Sequence, residues 1–579
     1  MATTRPWRLP FIVFTLALLV AGCGADEAPM DDGGDGLADA GPPPIDAGDA
    51  DGGAEPDARV EEDAGALVEL GAACGEAAEC LSGACVDGLC CEGACDGLCE
   101  SCALPGLEGT CAPHAPGLDP DLECGGGVCD GAGACALGAV DWAASHAATA
   151  GVGNNVFVND VVVDEAGVVI VGQFRGVVGF GGPNLVASGG NADVFVARYA
   201  PDGTHLHSRR FGTNISGQNT VANAVALTPS GSVVVVGHYG GLAGVGPTFG
   251  GGSLPHAGRR DLFVVELDDE LQHVRSVGFG GAGDDEALAV AVANDGRVLV
   301  GGEIEGEVAI GDEVLRSEGG ADALVLSLDD AFAPAWAVAS GGALDEAVRG
   351  LDVDSLGGAV VAGSLRSAIA FGGTPVASAG FDDLFLARLD VDGALDWLAV
   401  FGDEAGQQIG HDVAVGPEDR VVLVGSFLGT VDVGGPAPLV AEGATLPDFL
   451  VASFDREGQH LWSRRIGDVD LQNRIEVDVN AAGDVAIATG FEGVVDFGGG
   501  PLTSAGQGDV SLTRLTLDGA HLWSAGFGDG FDQHARGVAV AEDGSTVVVG
   551  KLLGRIDFGL GPLEDAGAGF AAFVARFDP

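Results

Sequence analysis

One lysine, Lys551, stands beside 24 arginines in 579 residues, and 86 acidic residues bring the formal charge to −61. So acidic a surface repels nucleic acid and anionic membrane faces, which excludes a nucleic-acid role. Aromatic residues make up 6% of the chain and include two tyrosines, Tyr199 and Tyr239, so stacking platforms for sugars are scarce. The sequence has no GxSxG nucleophile elbow and no HExxH zinc motif. Lys551 follows a glycine but precedes Leu552, so there is no phosphate loop, and no cofactor is expected. The longest apolar run near the start, Phe11–Val20, is too short to span a bilayer as a helix. Cysteine is absent after Cys135, which confines any disulfide framework to the N-terminal part.

The first residues instead form an export pattern. Arg5 and Arg8 precede the apolar run, which ends in "LVAGC". This segment resembles the lipobox of bacterial lipoproteins, with Val20, Ala21 and Gly22 leading to Cys23. The resemblance implies cleavage before Cys23 and diacylglycerol on its sulfur, an anchor that needs no transmembrane helix. It further implies an outer-membrane lipoprotein, facing the periplasm or the cell surface, because Gly24 replaces the aspartate that retains such proteins on the inner membrane. An ordinary signal peptide with an incidental cysteine is the alternative.

The lipobox resemblance and the composition together imply four segments: a signal peptide (1–22), a lipidated cysteine and acidic tether (23–66), a cysteine-rich module (67–137) and a repeat region (138–579). Residues 24–66 hold 14 acidic residues, one arginine and no aromatic residue, too little apolar surface to offset the entropy of ordering. Twelve cysteines then fall within 62 residues: Cys74, Cys80, Cys85, Cys90, Cys91, Cys95, Cys99, Cys102, Cys111, Cys124, Cys129 and Cys135. In an exported segment this even number argues for about six disulfides of undetermined pairing. Cys90 and Cys91 are expected to bond different partners, since neighbouring Cα atoms lie too close for a relaxed bridge. A redox or zinc site at "CESC" (99–102) is the alternative use. The pattern resembles the cysteine-rich stalk modules of bacterial surface lipoproteins, which implies a crosslinked spacer.

The repeat is clearest in a short strand ending in glycine: "VVIVG" to Gly172, "VVVVG" to Gly237, "RVLVG" to Gly301, "AVVAG" to Gly363, "VVLVG" to Gly425, "VAIATG" to Gly490 and "TVVVG" to Gly550. The intervals are 65, 64, 62, 62, 65 and 60 residues, so seven copies form a stacked or circular array. Each copy continues through an excursion such as "GVVDFGGG" into a third strand. That strand opens with Asp193, Asp261, Asp322, Asp383, Asp448 or Asp509. Fourth strands carry Trp336, Trp397, Trp462 and Trp523 in copies three to six. Recurrence at one position assigns these rings to packing. Four short antiparallel strands joined by Gly- and Asp-bearing turns make one propeller blade.

The seventh copy ends after its third strand, "AFVARFDP", and lacks a fourth. "GAVDWAASHA" (138–147), with Trp142 in the tryptophan position, supplies it. The expected fold is therefore an all-β, seven-bladed β-propeller of four-stranded antiparallel blades, closed by an N-terminal strand; an open solenoid is the alternative. These residues resemble the seven-bladed propeller repeats of bacterial cell-surface proteins (the SBBP type), with their pattern "G…VDFGG…L…GG.D.FVAKLD..G…W…FGG". The resemblance covers 138–579 and implies architecture, not function. Ala571 departs from the aspartate pattern, and "GLAGVGPTFGGGSLPHAGRR" is a longer excursion in copy two.

Candidate site residues come from their place in the blade, because first strands line the central channel. Alignment gives one column of Asn159, Asn223, Leu288, Arg349, His411, Ile475 and Arg536. The next reads Asp160, Ala224, Ala289, Gly350, Asp412, Glu476 and Gly537. Asp160, Arg349, His411, Asp412, Glu476 and Arg536 are thus expected around one channel mouth, where they could bind a carboxylate or a sugar. His411 and Glu476 could alternatively act as acid and base. "LDVDSLGG" and "LDVDGALD" have calcium-loop residues, but lie at hairpins where Asp and Gly are ordinary turn residues. The expectation is a monomeric, lipid-anchored envelope protein whose propeller recognises a protein or glycan partner without catalysis. A lectin and a channel-mouth hydrolase or lyase are the alternatives.

Overall fold

The computed structural model describes residues 138–579 apart from 150–152, 189, 242–244, 405, 444, 469–471 and 566–568, together with parts of 70–136. Cys23 and the tether lie outside the described residues, as do Cys95, Cys99 and Cys124. In the cysteine-rich module Cys74 pairs with Cys85, Cys80 with Cys90 and Cys91 with Cys102. Adjacent Cys90 and Cys91 therefore do bond different partners. Cys102 is bridged to Cys91, so the redox reading of "CESC" does not form. The sulfurs of Cys74, Cys80 and Cys90 lie within 4.8 Å of one another, but disulfides occupy all three.

Residues 138–579 form seven four-stranded antiparallel sheets. Blade one is typical: Val156–Asp164, Gly167–Phe174, Asp193–Tyr199 and His205–Phe211 pair in chain order. Blade seven combines Gln533–Val540, Thr546–Leu552 and Ala571–Phe577 with Val140–His146 from the other end of the chain. Val574 faces Ala144 in that ladder, and Arg576 bonds Asp141 at 2.7 Å. The clasp pairs the edge that the third strand of blade seven would otherwise leave open.

Apolar residues on both faces of the second and third strands match sheets packed between neighbours. Every residue of Val421–Phe427 and Asp448–Phe454 is buried. Each core valine removed from water contributes about 1.5–3 kcal/mol. In five blades the excursion makes a separate two-stranded hairpin, such as Thr430–Val431 with Leu439–Val440. Blade three instead runs the same residues into its long second and third strands, Val298–Ile310 and Glu313–Leu328.

The repeated residues have two structural uses. Each third-strand aspartate accepts a backbone N–H from the preceding loop, as Asp448 does from Glu442 at 2.9 Å and Asp261 from Ala257 at 2.7 Å. The glycine after the fourth strand leaves room for that carboxylate: a Cβ on Gly402 would lie 2.2 Å from Asp383 Oδ1. The tryptophans reach across to the next blade. Trp142, Trp336, Trp397 and Trp462 donate Nε1–H to the carbonyls of Pro201, Val391, Arg456 and Leu517 at 2.8–3.0 Å. Their rings cover turn glycines; a Cβ on Gly393, whose φ is +81°, would lie 2.6 Å from Trp336.

Gly402→Ala is expected to lower unfolding free energy by about 1–3 kcal/mol through overpacking against Asp383. Gly530→Ala, where an added Cβ meets nothing within 4 Å, should be near neutral in the same urea titration.

Candidate functional site

Each first strand carries a bulge at its lumen-facing end, and the extra residue is turned out of the ladder. These residues are Asn159, Asn223, Leu288, Arg349, His411 and Arg536 in blades one to five and seven. Bulges at a rim re-aim side chains without disturbing the rest of the sheet. All six residues line one cavity of about 440 Å³, whose lining takes a residue from every blade.

Blade six corrects the aligned column. Its bulge falls between Gln472 and Ile475, one residue earlier than in the other blades. Ile475 is therefore fully buried in the core between blades five and six, and Arg474 lines the cavity in its place. Thr489, not Gly490, holds the place of Gly172, because Ser511 pairs with Thr489 as Phe195 pairs with Gly172. Arg474 was not reached by sequence reasoning for this reason.

The acidic candidates lie one step below the rim and are already bonded. Asp160 accepts the amides of Val161 and, across the blade boundary, Val225, each at 2.8 Å. Asp412 does the same with Val413 at 2.9 Å and Val477 at 3.1 Å. Two residues further along, Asp352 reaches Val415 and Asp478 reaches Val540, each at 2.7 Å. Sequence reasoning met Asp352 only as part of the calcium-like "LDVDSLGG" and passed over Asp478. Burial raises the carboxyls of Asp160, Asp352 and Asp412 to about 7, although the amide bonds pull the other way. Glu476 is buried and paired with Arg474. Asp160 and Asp412, expected at the channel mouth, are thus bonded to backbone amides, and Glu476 is bonded to Arg474.

His411 is held neutral. Desolvation, with Arg474 and Arg349 nearby, lowers its pKa to about 3, and its Nε2 lies 2.8 Å from Ser426 Oγ. No hydrogen bond or ion pair joins His411 to Glu476 among the described residues; His411 lines the cavity, while Glu476 is held by Arg474. His238, also in the cavity lining, is lowered to about 4 by burial and lies 3.2 Å from Glu286.

What remains at the mouth is cationic. Arg349 reaches Ser364 Oγ at 3.4 Å, and Arg536 makes no hydrogen bond or ion pair among the described residues. Desolvation disfavours the charged form of Arg474 and Arg536, and Arg474 is further opposed by Arg536 and Arg349. The Arg474 side chain keeps 43% of its surface accessible and lines the cavity. Two calcium-like loops are occupied by their own backbones: Asp354 caps Leu356 and Gly358, and Asp390 caps Asp392 and Ala394.

No protein-family model matches the chain, and no curated protein does. Solved structures share its propeller outline at low similarity. The Pan2 WD40 domain of Neurospora crassa has 9% identity and a TM-score of 0.37, covering 73% of this chain and 91% of that one. YCF48 bound to D1 peptide has 11% identity and a TM-score of 0.35, covering 77% and 98%. A PL25 ulvan lyase bound to a sulfated disaccharide repeat has 9% identity and a TM-score of 0.36, covering 72% and 92%. Scores at this level assign neither partner nor chemistry.

Asp412→Ala leaves the Val477 amide without its acceptor and is expected to cost about 1–3 kcal/mol. Asp412 has a raised folded pKa, so its stabilising share is present below the unfolded value of about 3.9 and is lost as pH rises through about 7. The cost of Asp412→Ala in urea titrations should therefore be larger at about pH 5 than at about pH 8.

Proposed function

We propose that the chain is a lipid-anchored envelope protein whose propeller is a non-enzymatic recognition module, with the channel mouth as its contact point. The observation that carries this reading is the state of the titratable groups there. Asp160 and Asp412 are bonded to backbone amides, Glu476 to Arg474, and His411 is neutral and tied to Ser426. A general acid or base needs a free proton site within reach of substrate, and these groups are engaged elsewhere. Binding is what the remaining guanidinium groups can do.

Lectin-type recognition by aromatic stacking gains no support, because Trp142, Trp336, Trp397 and Trp462 are fastened to neighbouring blades. The anchor rests on the lipobox-like "LVAGC" and the acidic tether that follows it. Tether and crosslinked module would hold a rigid ring away from the membrane.

Protease shaving of intact cells, followed by blotting for the propeller, tests the reading. Loss of the signal is expected for a surface-exposed protein, and protection until the outer membrane is opened for a periplasmic one. Cys23→Ala should release the protein from the membrane fraction. A wild-type protein found free in the medium and unchanged by Cys23→Ala would overturn the anchor.

A further inference from the structure

Most arginines elsewhere in the propeller find carboxylates. Arg198 meets Asp164 at 3.1 Å, Arg465 meets Asp448 at 2.7 Å and Arg514 meets Asp484 at 3.3 Å. The sequence offers 86 acidic residues for this purpose. Arg175, Arg209, Arg349, Arg464 and Arg536 have no carboxylate within ion-pair distance among the described residues; Arg175, Arg209 and Arg464 bond to an amide oxygen or to backbone carbonyls instead. Of the five, Arg349 and Arg536 share a cavity with Arg474. Three like charges facing one space of about 440 Å³ repel each other. Glu476 pairs with Arg474, but no carboxylate pairs with Arg349 or Arg536 among the described residues. An anion entering the cavity would meet all three and relieve that repulsion.

The neighbouring groups narrow the chemistry. Asn159 and Asn223 donate Nδ2–H to the carbonyls of Ala222 and Ala287 at 2.7 and 2.8 Å. Their Oδ1 atoms have no partner among the described residues and remain acceptors, which suit ligand hydroxyls. Guanidinium forks match planar carboxylates in a bidentate manner. The cavity volume falls in the range of small-ligand sites, about 300–1,000 Å³.

We propose that the channel mouth binds a hydroxylated carboxylate, with Arg349, Arg474 and Arg536 holding the acid group and Asn159 and Asn223 accepting from its hydroxyls. This rests on the recognition reading and adds the ligand class to it. The same chemistry occurs in free hydroxy acids and in uronic acid units of acidic polysaccharides, and two probes separate those sources.

The experiment is calorimetric titration of the full chain with citrate, digalacturonate and neutral digalactose at physiological salt. The expected result is one-to-one binding of citrate or digalacturonate and none of digalactose. Arg536→Gln and Arg349→Gln should each weaken it about tenfold or more with the melting temperature unchanged. Arg555→Gln, on the exposed Arg555–Glu564 pair, should bind as wild type. Binding of citrate alone assigns a free hydroxy acid, and binding of digalacturonate alone an acidic glycan. Absence of binding by either anion, equal binding of digalactose, or affinity unmoved by both arginine variants would overturn the proposal. Cleavage of digalacturonate would instead overturn the non-enzymatic reading while leaving the anion site in place.

Discussion

Seven first strands can meet around a channel only if the backbone groups on their inner edges are satisfied or left to solvent. The chain answers this with carboxylates that cross the blade boundary. Asp160, Asp352, Asp412 and Asp478 each accept an amide of the next blade's first strand, one residue further along the repeat. Asn159 and Asn223 add side-chain donors to the next blade's carbonyls. A buried amide without an acceptor costs about 1–3 kcal/mol, so each strap fixes both spacing and register. The straps and the outer tryptophans together fasten the ring, and the boundaries between blades four and five and between five and six carry both. The boundaries between blades three and four and between seven and one lack a strap among the described residues, and Trp336 and Trp142 bridge them. Blades one and two carry His207 and Arg275 in place of tryptophan, and their far boundaries are the ones fastened by Asp160 and Asn223.

This fastening shapes the electrostatics of the channel. Acidic residues dominate the chain, yet those nearest the mouth are drawn into backbone bonding or, for Glu476, into Arg474. Their raised pKa values weaken the negative potential that would otherwise neutralise the rim. The bulges then turn Arg349, Arg474 and Arg536 toward the lumen. Three guanidinium groups gathered at one cavity of a protein of formal charge −61 thus owe their place to the bulges and the strapping, not to overall composition.

The architecture was legible in the sequence because each element recurs seven times and its errors average out. The clasp could be read from an arithmetic mismatch: one strand missing at the end and Trp142 spare near the beginning. The recurrent tryptophans were legible as packing residues for the same reason. The site was less so, because it depends on single-residue register. Blade six moves its bulge one residue toward the N-terminus, and the glycine marker "VAIATG" conceals the shift. Phe491, which ends that strand as Phe174 and Phe427 end theirs, would have restored it and exposed Arg474. The strapping role of Asp352 and Asp478 escaped notice because they occupy positions that hold alanine or valine in the other blades. The cysteine pairing was not legible, since spacing alone permits many connectivities.

Residue-resolved hydrogen exchange of the amides of Val225, Val415, Val477 and Val540 tests the straps most directly, in the wild type and in Asp412→Ala. These amides lie on inner strand edges, and protection comparable to that of the blade cores is the result expected of strapped donors. In Asp412→Ala, Val477 should lose protection while Val225, Val415 and Val540 keep theirs. Exchange of all four at the rate of open-loop amides in the wild type would contradict carboxylate strapping as the constraint that holds the ring.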